Sequence, residues 1–316
     1  MRAAFLDYDT VSNGDLDTAS LRSAVDELLL FDLDETKMRD RMQGADIVLV
    51  NKLALDEELL RGAADLKLVA LAATGTNNVD LVAARERGIG VCNLRAYCTA
   101  SVVQQVWGLI LSLTQHMAQY SRLSRDGSWV RDEAATVLSH PIRELQGRIF
   151  GVIGWGELGK GAAGIAAAFG MRVVIANRRG APPVDGRLDL DELLKVADIV
   201  SCHCPLNDTT RGMLGERELA LMKRDALLIN TARGALIDSA ALAHALRAEK
   251  LGGAGLDVLP EEPPVHGDPL LDPDIPNLLI TPHVAWSARE ARQRCLNEMA
   301  ENIRDFRRGG RRGRVV

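Results

Sequence analysis

The chain has 316 residues, longer than one ordinary domain, and this length predicts about two packed units with a sizeable core. Lysine and arginine number 38 against 43 acids, a formal charge of −5, which excludes a protein built chiefly to hold nucleic-acid phosphate. No run of about eighteen apolar residues occurs, so no membrane span is expected. Asp7 and Asp9 stand where a signal peptide would need its apolar segment, which predicts a cytoplasmic protein.

Phe5-Leu6, Ile47-Val48-Leu49-Val50 and Leu68-Val69-Ala70-Leu71 read as buried strands, and 56–64 and 79–87 as helices ending near Gly62 and Gly88. This is strand–helix–strand repetition. From 101 to about 120, Val102, Val106, Leu109, Ile110, Leu113 and Met117 recur at helical spacing, with Trp107 adding bulk, and predict one long buried helix joining two domains. A second series starts at Ile149-Phe150-Gly151-Val152-Ile153 and continues with strands near 172–176, 199–203, 226–230, 253–257 and 278–281. Alternation at these intervals implies a parallel, doubly wound sheet. The proline-rich stretch 260–276 reads as a loop. A polar helix from Arg289 to about Arg307 has no strand after it and is expected to pack back on the first domain. The terminal run Arg307, Arg308, Arg311, Arg312 and Arg314, broken by glycines, reads as a solvated, frayed end.

The five cysteines, Cys92, Cys98, Cys202, Cys204 and Cys295, are odd in number and scattered, which fits free thiols in a reducing compartment. Cys202-His203-Cys204 has the composition of a metal site, but alternation on a strand turns His203 away from both thiols and no second pair at zinc spacing follows. No metal is expected.

The strongest local signal is Gly154-Trp155-Gly156-Glu157-Leu158-Gly159, between a strand and an alanine-rich helix. Gly154 allows the tight turn, Gly156 lets the backbone approach a pyrophosphate, and Gly159 lets helix and strand pack closely, while amides at the helix start face the anion. A dinucleotide is therefore the expected cofactor. The next strand normally ends on an acid for the ribose hydroxyls; here it ends Ala176-Asn177-Arg178-Arg179. An uncharged Asn177 followed by two guanidinium groups suits a 2′-phosphate, which favours NADP over NAD.

Further along stand Asn230-Thr231-Ala232-Arg233-Gly234, Leu256-Asp257-Val258 followed by Glu261-Glu262-Pro263, and Thr281-Pro282-His283. Together with Ala73-Thr74-Gly75-Thr76-Asn77-Asn78-Val79-Asp80 and 101–105, this order resembles the D-isomer-specific 2-hydroxyacid dehydrogenase family over nearly the whole chain. Pro141-Ile142-Arg143-Glu144-Leu145, the Gly-Glu-Leu-Gly ending of the glycine turn and Trp286 are similar to its glycerate dehydrogenase, or hydroxypyruvate reductase, branch.

The resemblance implies an oxidoreductase that reduces hydroxypyruvate or glyoxylate to D-glycerate or glycolate with NAD(P)H. Arg233, a permanently charged planar fork, would hold the carboxylate and polarise the carbonyl. His283 would transfer the proton, and Glu262 would orient its ring and favour the protonated form. Thr74, Gly75 and Thr76 would receive the substrate carboxylate on backbone amides. Cys204, Pro205 and Thr210, together with Thr231, Ala232 and Asp257, would touch the cofactor, and Ser101 and Gln104 would face the same region. Gln105 replaces a histidine common in relatives.

The resemblance further implies two Rossmann-like α/β domains, each a doubly wound parallel sheet. A discontinuous substrate domain would comprise 1–98 and 285–316 and a dinucleotide-binding domain 99–284, with the active site in the cleft and a homodimer formed through the cofactor domain. Two other readings share the fold: a phosphoglycerate or other D-2-hydroxyacid dehydrogenase, and a corepressor-type protein that senses NAD(H).

Overall fold

The computed structural model describes residues 1–131, 136–178 and 180–316. The chain divides into two compact units, one formed by Met1–Cys98 with Trp286–Val316 and the other by Thr99–Ala285.

The discontinuous unit is built on β1 (Arg2–Phe5), β2 (Glu27–Leu30), β3 (Ile47–Val50), β4 (Leu68–Leu71) and β5 (Gly90–Cys92). They lie in the order β2-β1-β3-β4-β5, every pairing parallel. Side chains alternate between two cores: Ile47, Leu49, Leu68 and Ala70 face one, and Val48, Val50, Val69 and Leu71 the other. Burial on both faces is why these strands are unbroken apolar runs. The helix Arg289–Arg307 closes the first core with Cys295, Leu296, Met299, Ala300 and Ile303, as the lack of a following strand predicts.

The arginine-rich end is not frayed. β5 is an edge strand with unpaired backbone groups, and the last residues satisfy them: Val315 N donates to Val91 O at 2.8 Å and Asn93 N to Gly313 O at 3.0 Å.

The second unit carries β6 (Ile149–Ile153), β7 (Arg172–Ile175), β8 (Ile199–Cys202), β9 (Leu227–Asn230), β10 (Gly253–Leu256) and β11 (Leu278–Ile280). Their order is β11-β10-β9-β8-β6-β7, again all parallel, and a bridge from Ala176 to Leu188 extends the sheet beyond β7. Both sheets are thus parallel α/β layers, as expected. In the second unit the winding reverses between β6 and β8, which leaves a crevice at the carboxyl ends of those strands.

The predicted helix from 101 to about 120 is two helices, Thr99–Thr114 and Met117–Arg125, separated by His116 at φ 48°. The apolar stripe ends at Leu113, and the Thr114 hydroxyl bonds back to Ile110 O at 2.9 Å, competing with the backbone ladder. Met117, expected in the core, is exposed. Within the first of these helices Trp107 stacks on Phe150 and Phe169 with ring centroids 5.6 and 4.9 Å away, and its indole N–H reaches Ala162 O at 3.2 Å. Among the described residues no helix is long and apolar enough to cross a membrane.

Candidate active site

The crevice between β6 and β8 is shaped by absent side chains. Gly154 has φ 105°, and a Cβ there would strike the His203 carbonyl and the Cys204 amide, so the turns after β6 and β8 are in contact. A Cβ on Gly159 would strike the Gly154 carbonyl, whereas one on Gly156 would meet nothing within 4 Å. Gly156 caps the helix Glu157–Ala168 without a side chain. Three other helices are capped by Asp56, Asp80 and Asp238, whose carboxylates accept their first amides. The glycine turn thus has the open approach, and helix amides unclaimed among the described residues, that a pyrophosphate requires. Glu157 is exposed and Leu158 half-buried on the first turn.

At the end of β7, Asn177 Oδ1 accepts from Val184 N at 3.0 Å, and its Nδ2 faces Asp189 Oδ1 at 3.3 Å. Beside it lies a cavity of 200 Å³ lined by Asn177, Arg178, Asp189, Asp191 and Arg217 among others. Arg217 is committed to Asp191 at 2.7 and 3.0 Å, while Arg178 is exposed and forms no ion pair among the described residues. Arg179 lies outside the described residues. After β8, the Thr210 hydroxyl donates to Pro205 O at 2.8 Å and accepts from Asn207 N, so it closes the 205–210 turn. Cys204 is half-buried beside Met213, and burial pushes its thiol up to about 11. Cys202 is fully buried in the core. Among the described residues no group of three His, Cys, Asp or Glu side chains is placed to hold a metal ion.

Three adjacent strand ends carry the remaining motifs. Beyond β9, the buried Asn230 accepts from Ala232 N at 3.0 Å and donates to Arg233 O at 2.9 Å, folding the turn so that Arg233 follows in extended backbone. The Arg233 side chain is half-buried, donates to Ala232 O at 2.7 Å and has no acidic partner among the described residues. Thr231 Oγ1 is buried without a partner among them. Beyond β10, Asp257 is fully buried; its carboxylate accepts from Val284 N at 3.0 Å, Ala285 N at 2.8 Å and the Thr281 hydroxyl, and its carbonyl from His283 N at 2.8 Å. Gln105 Nε2 donates to Thr281 Oγ1 at 3.0 Å, extending this relay into the helix Thr99–Thr114, while the Ser101 hydroxyl donates to Ala285 O at 2.6 Å. Gln104 is exposed.

These bonds hold His283 at φ 52°, a region a side-chain-bearing residue enters at a cost. Its Nδ1 meets Glu262 Oε2, and Glu262 Oε1 accepts from Leu259 N at 2.9 Å. A Cβ on Gly234 would strike the Leu259 carbonyl and the Pro260 nitrogen, so the turn carrying Arg233 is pressed against the loop carrying Glu262. Arg233, Glu262 and His283 are therefore joined by successive contacts at one edge of the sheet.

In the discontinuous unit, Thr74, Gly75 and Thr76 form the loop beyond β4. Among the described residues no protein acceptor takes the amides of these three; the loop is tied instead through its carbonyls, Ala73 O to Leu94 N at 3.0 Å, Thr74 O to Asn93 Nδ2 at 2.7 Å and Thr76 O to Val79 N at 3.1 Å.

A larger cavity, 390 Å³, lies at the opposite, amino-terminal ends of the strands in the Thr99–Ala285 unit; it is lined by Pro141, Arg143 and Leu145 but by none of the predicted catalytic, substrate or cofactor residues. Its three arginines are all paired: Arg143 with Asp225, Arg148 with Asp198 and Asp225, and Arg224 with Glu249.

In the sequence Asn230 and Thr281 stand out only as members of motifs, and Gln105 has no evident role. Their hydrogen bonds make Asn230 the brace of the Arg233 turn, and Gln105 and Thr281 braces of the His283 loop. His203 was read as structural only, and its ring adds a titration. The residue is half-buried, but Nδ1 is enclosed without a partner among the described residues, Nε2 meets the Ser201 hydroxyl at 2.9 Å, and burial lowers its pKa to about 4.

The family profile described as "D-isomer specific 2-hydroxyacid dehydrogenase, NAD binding domain" matches residues 107–285. The chain is 42% identical over 267 residues to a glycerate dehydrogenase of Methylorubrum extorquens, covering 84% of each chain. It is 33% identical over 317 residues to a hydroxypyruvate reductase of Blautia hydrogenotrophica, covering 98% of each. Among solved structures it is similar to an acyclic imino acid reductase (Bsp5) in complex with NADPH and D-Arg, with a TM-score of 0.85, 28% identity and full coverage of both chains.

Between the ordinary imidazole value near 6.5 and about 4, the unfolded chain binds a proton at His203 that the folded chain does not. This residue therefore costs no stability above about pH 6.5 and an increasing amount below, on the order of 3 kcal/mol once pH reaches about 4. Urea denaturation at about pH 7.5 and about pH 5 should show His203→Gln losing less stability on acidification than the parent; equal losses would contradict this account.

Proposed function

As the chain belongs to the D-isomer-specific 2-hydroxyacid dehydrogenases, we propose that it reduces hydroxypyruvate or glyoxylate to D-glycerate or glycolate, reversibly, with NAD(P)H. The observation that carries this reading is a histidine held by a carboxylate at one strand end, with an arginine lacking any acidic partner among the described residues two strands away. The unit Met1–Cys98 with Trp286–Val316 is assigned to substrate and Thr99–Ala285 to the dinucleotide.

The glycine turn fits the cofactor's diphosphate, because side chains at Gly154 and Gly159 would collide with backbone and the helix cap leaves its amides unclaimed. When bound, the reduced nicotinamide supplies the hydride that reaches the carbonyl carbon. Arg233 binds the substrate's carboxylate and draws electron density toward its carbonyl oxygen. The Thr74, Gly75 and Thr76 amides are assigned to a substrate carboxylate. His283, its Nδ1 held by Glu262, gives a proton to the carbonyl oxygen and takes it back in the reverse direction. Glu262 fixes the ring and stabilises its cationic form. Leu158 and Glu157 open the pyrophosphate helix, and Cys204, Pro205, Thr210, Thr231, Ala232 and Asp257 shape the turns around the cofactor. Five free cysteines fit a reducing cytoplasm.

His283→Ala is expected to lower kcat by about two to four orders of magnitude while leaving the NADPH dissociation constant nearly unchanged. Turnover within tenfold of the parent's would remove His283 from the mechanism.

NADP is preferred over NAD because Asn177 replaces the usual acid and Arg178, beside the 200 Å³ cavity, forms no ion pair among the described residues. NADPH should exceed NADH in kcat/KM by about tenfold or more, the worth of one charge-assisted hydrogen bond. A preference for NADH overturns the assignment.

A homodimer is supported by apolar side chains crowded into one segment of the cofactor unit: Trp129, Val130, Leu138 and Ile142 are 49, 86, 85 and 55% exposed. Large apolar side chains exposed this close together in sequence are costly in water and suit a second copy. Light scattering should give twice the chain mass, and Val130→Asp with Leu138→Asp should halve it; a monomeric parent would end the claim.

A further inference from the structure

The C-terminal residues reach the substrate loop through a single asparagine. Arg314 bridges antiparallel to Cys92, Val91 N donates to Val316 O at 3.4 Å, and the Cys92 thiol meets Arg312 O at 3.3 Å. The pairing continues one residue further, where Asn93 N donates to Gly313 O at 3.0 Å. From its other side Asn302 Nδ2 donates to Asn93 O at 3.1 Å, and Arg312 Nε holds Asn302 Oδ1 at 3.2 Å. Both backbone groups of Asn93 are therefore pinned by the end of the chain and its last helix.

The Asn93 side chain, 8% exposed with its residue, points the other way and donates to Thr74 O at 2.7 Å. Flipping the amide would set two oxygens against each other, so the donor assignment follows from the contact itself. Thr74 O and Gly75 N–H belong to one planar peptide. Holding the oxygen fixes the direction of the N–H, and a hydrogen bond to the oxygen polarises that N–H into a stronger donor. The Gly75 amide has no protein acceptor among the described residues.

We propose that Asn93 is a positioning residue for the 2-oxo acid, aiming the Gly75 N–H at the substrate carboxylate, and that the last five residues of the chain set Asn93 in place. This rests on the reading of Thr74, Gly75 and Thr76 as the carboxylate loop. The terminal arginines serve this purpose through their backbone and through Arg312, and the glycine between them is required by geometry. Gly313 has φ 65°, and a Cβ there would lie 2.7 Å from Asn302 Nδ2 and 2.8 Å from Asn93 O.

Three variants test it. Asn93→Asp keeps the shape but removes the donor, and should raise KM for hydroxypyruvate about tenfold while kcat and KM for NADPH stay within about twofold. Gly313→Ala, which pries the tail from Asn93 at a distance from the loop, should raise the same KM by about threefold and speed hydrogen exchange at the Gly75 amide. Gly75→Pro deletes the N–H itself. If Gly75→Pro leaves KM for hydroxypyruvate unchanged, the carboxylate loop has been misassigned. If Gly75→Pro raises it while the other two leave both KM and exchange unchanged, Asn93 is only structural and the proposal fails. Should Asn93→Asp not fold, Gly313→Ala decides by the same two readouts.

Discussion

A buried carboxylate, Asp257, determines where His283 stands. A carboxyl group without access to water is tolerable only when its oxygens are fully engaged, and these oxygens take the Thr281 hydroxyl and the amides of Val284 and Ala285. The donors bracket His283 on both sides, and its own amide reaches the Asp257 carbonyl at 2.8 Å. The turn is thereby over-determined, which is what allows a histidine to persist at φ 52°. Glu262 then has only to fix the ring. The placement of His283 thus begins in the core of the sheet, one residue beyond β10, rather than at the surface loop that displays the imidazole.

The two sheets share a winding and differ in what fills the place where it reverses. In the discontinuous unit the reversal lies between β1 and β3, and Asp7 fills it: its carboxylate accepts from the amides of Asn51, Lys52 and Leu53 at 2.9, 2.6 and 3.0 Å. Burial holds that carboxyl above its ordinary range in spite of the three amides. In the Thr99–Ala285 unit the equivalent place holds glycines and an uncapped helix. The same architecture supplies an anion of its own in one sheet and leaves open space in the other, so the difference between the two sheets lies in what stands just beyond the first strand, Asp7 against Gly154, more than in the fold.

How far the sequence discloses this depends on where each feature's partner lies. β3, β4 and β6 are legible because burial on both faces makes them unbroken apolar runs. β2, with its Glu27 and half-exposed leucines, and β5, only three residues long, lack that signature. The helix break at His116 carries neither glycine nor proline and is set by the end of an apolar stripe. The glycine turn is local and its residues spell it out. The docking of Arg312 and Gly313 is not local: its partners Asn93 and Asn302 are polar residues of ordinary appearance, one of them about two hundred positions away, and a basic terminal run read by composition alone looks solvated. Gln105 is hidden for the same reason, since its acceptor Thr281 lies 176 residues on.

Charge placement makes the last step. Arginines of this chain are held by acids in many places, Arg292 on Asp15, Arg217 on Asp191 and Arg307 on Asp26 among them. Arg233 is half-buried and has only a backbone carbonyl among the described residues. A guanidinium shielded from water without a counter-charge costs the folded state. The cost persists because Asn230 and the close approach at Gly234 fix the turn from both ends, leaving the side chain paired with no acid among the described residues. A carboxylate that arrives from solution finds a cation already partly stripped of water, and its attraction is stronger than on an open surface. The same absence of an acidic partner among the described residues is what favours an acid as the ligand proposed for Arg233, and a 2-oxo acid would place the carbonyl to be polarised one bond from its carboxylate.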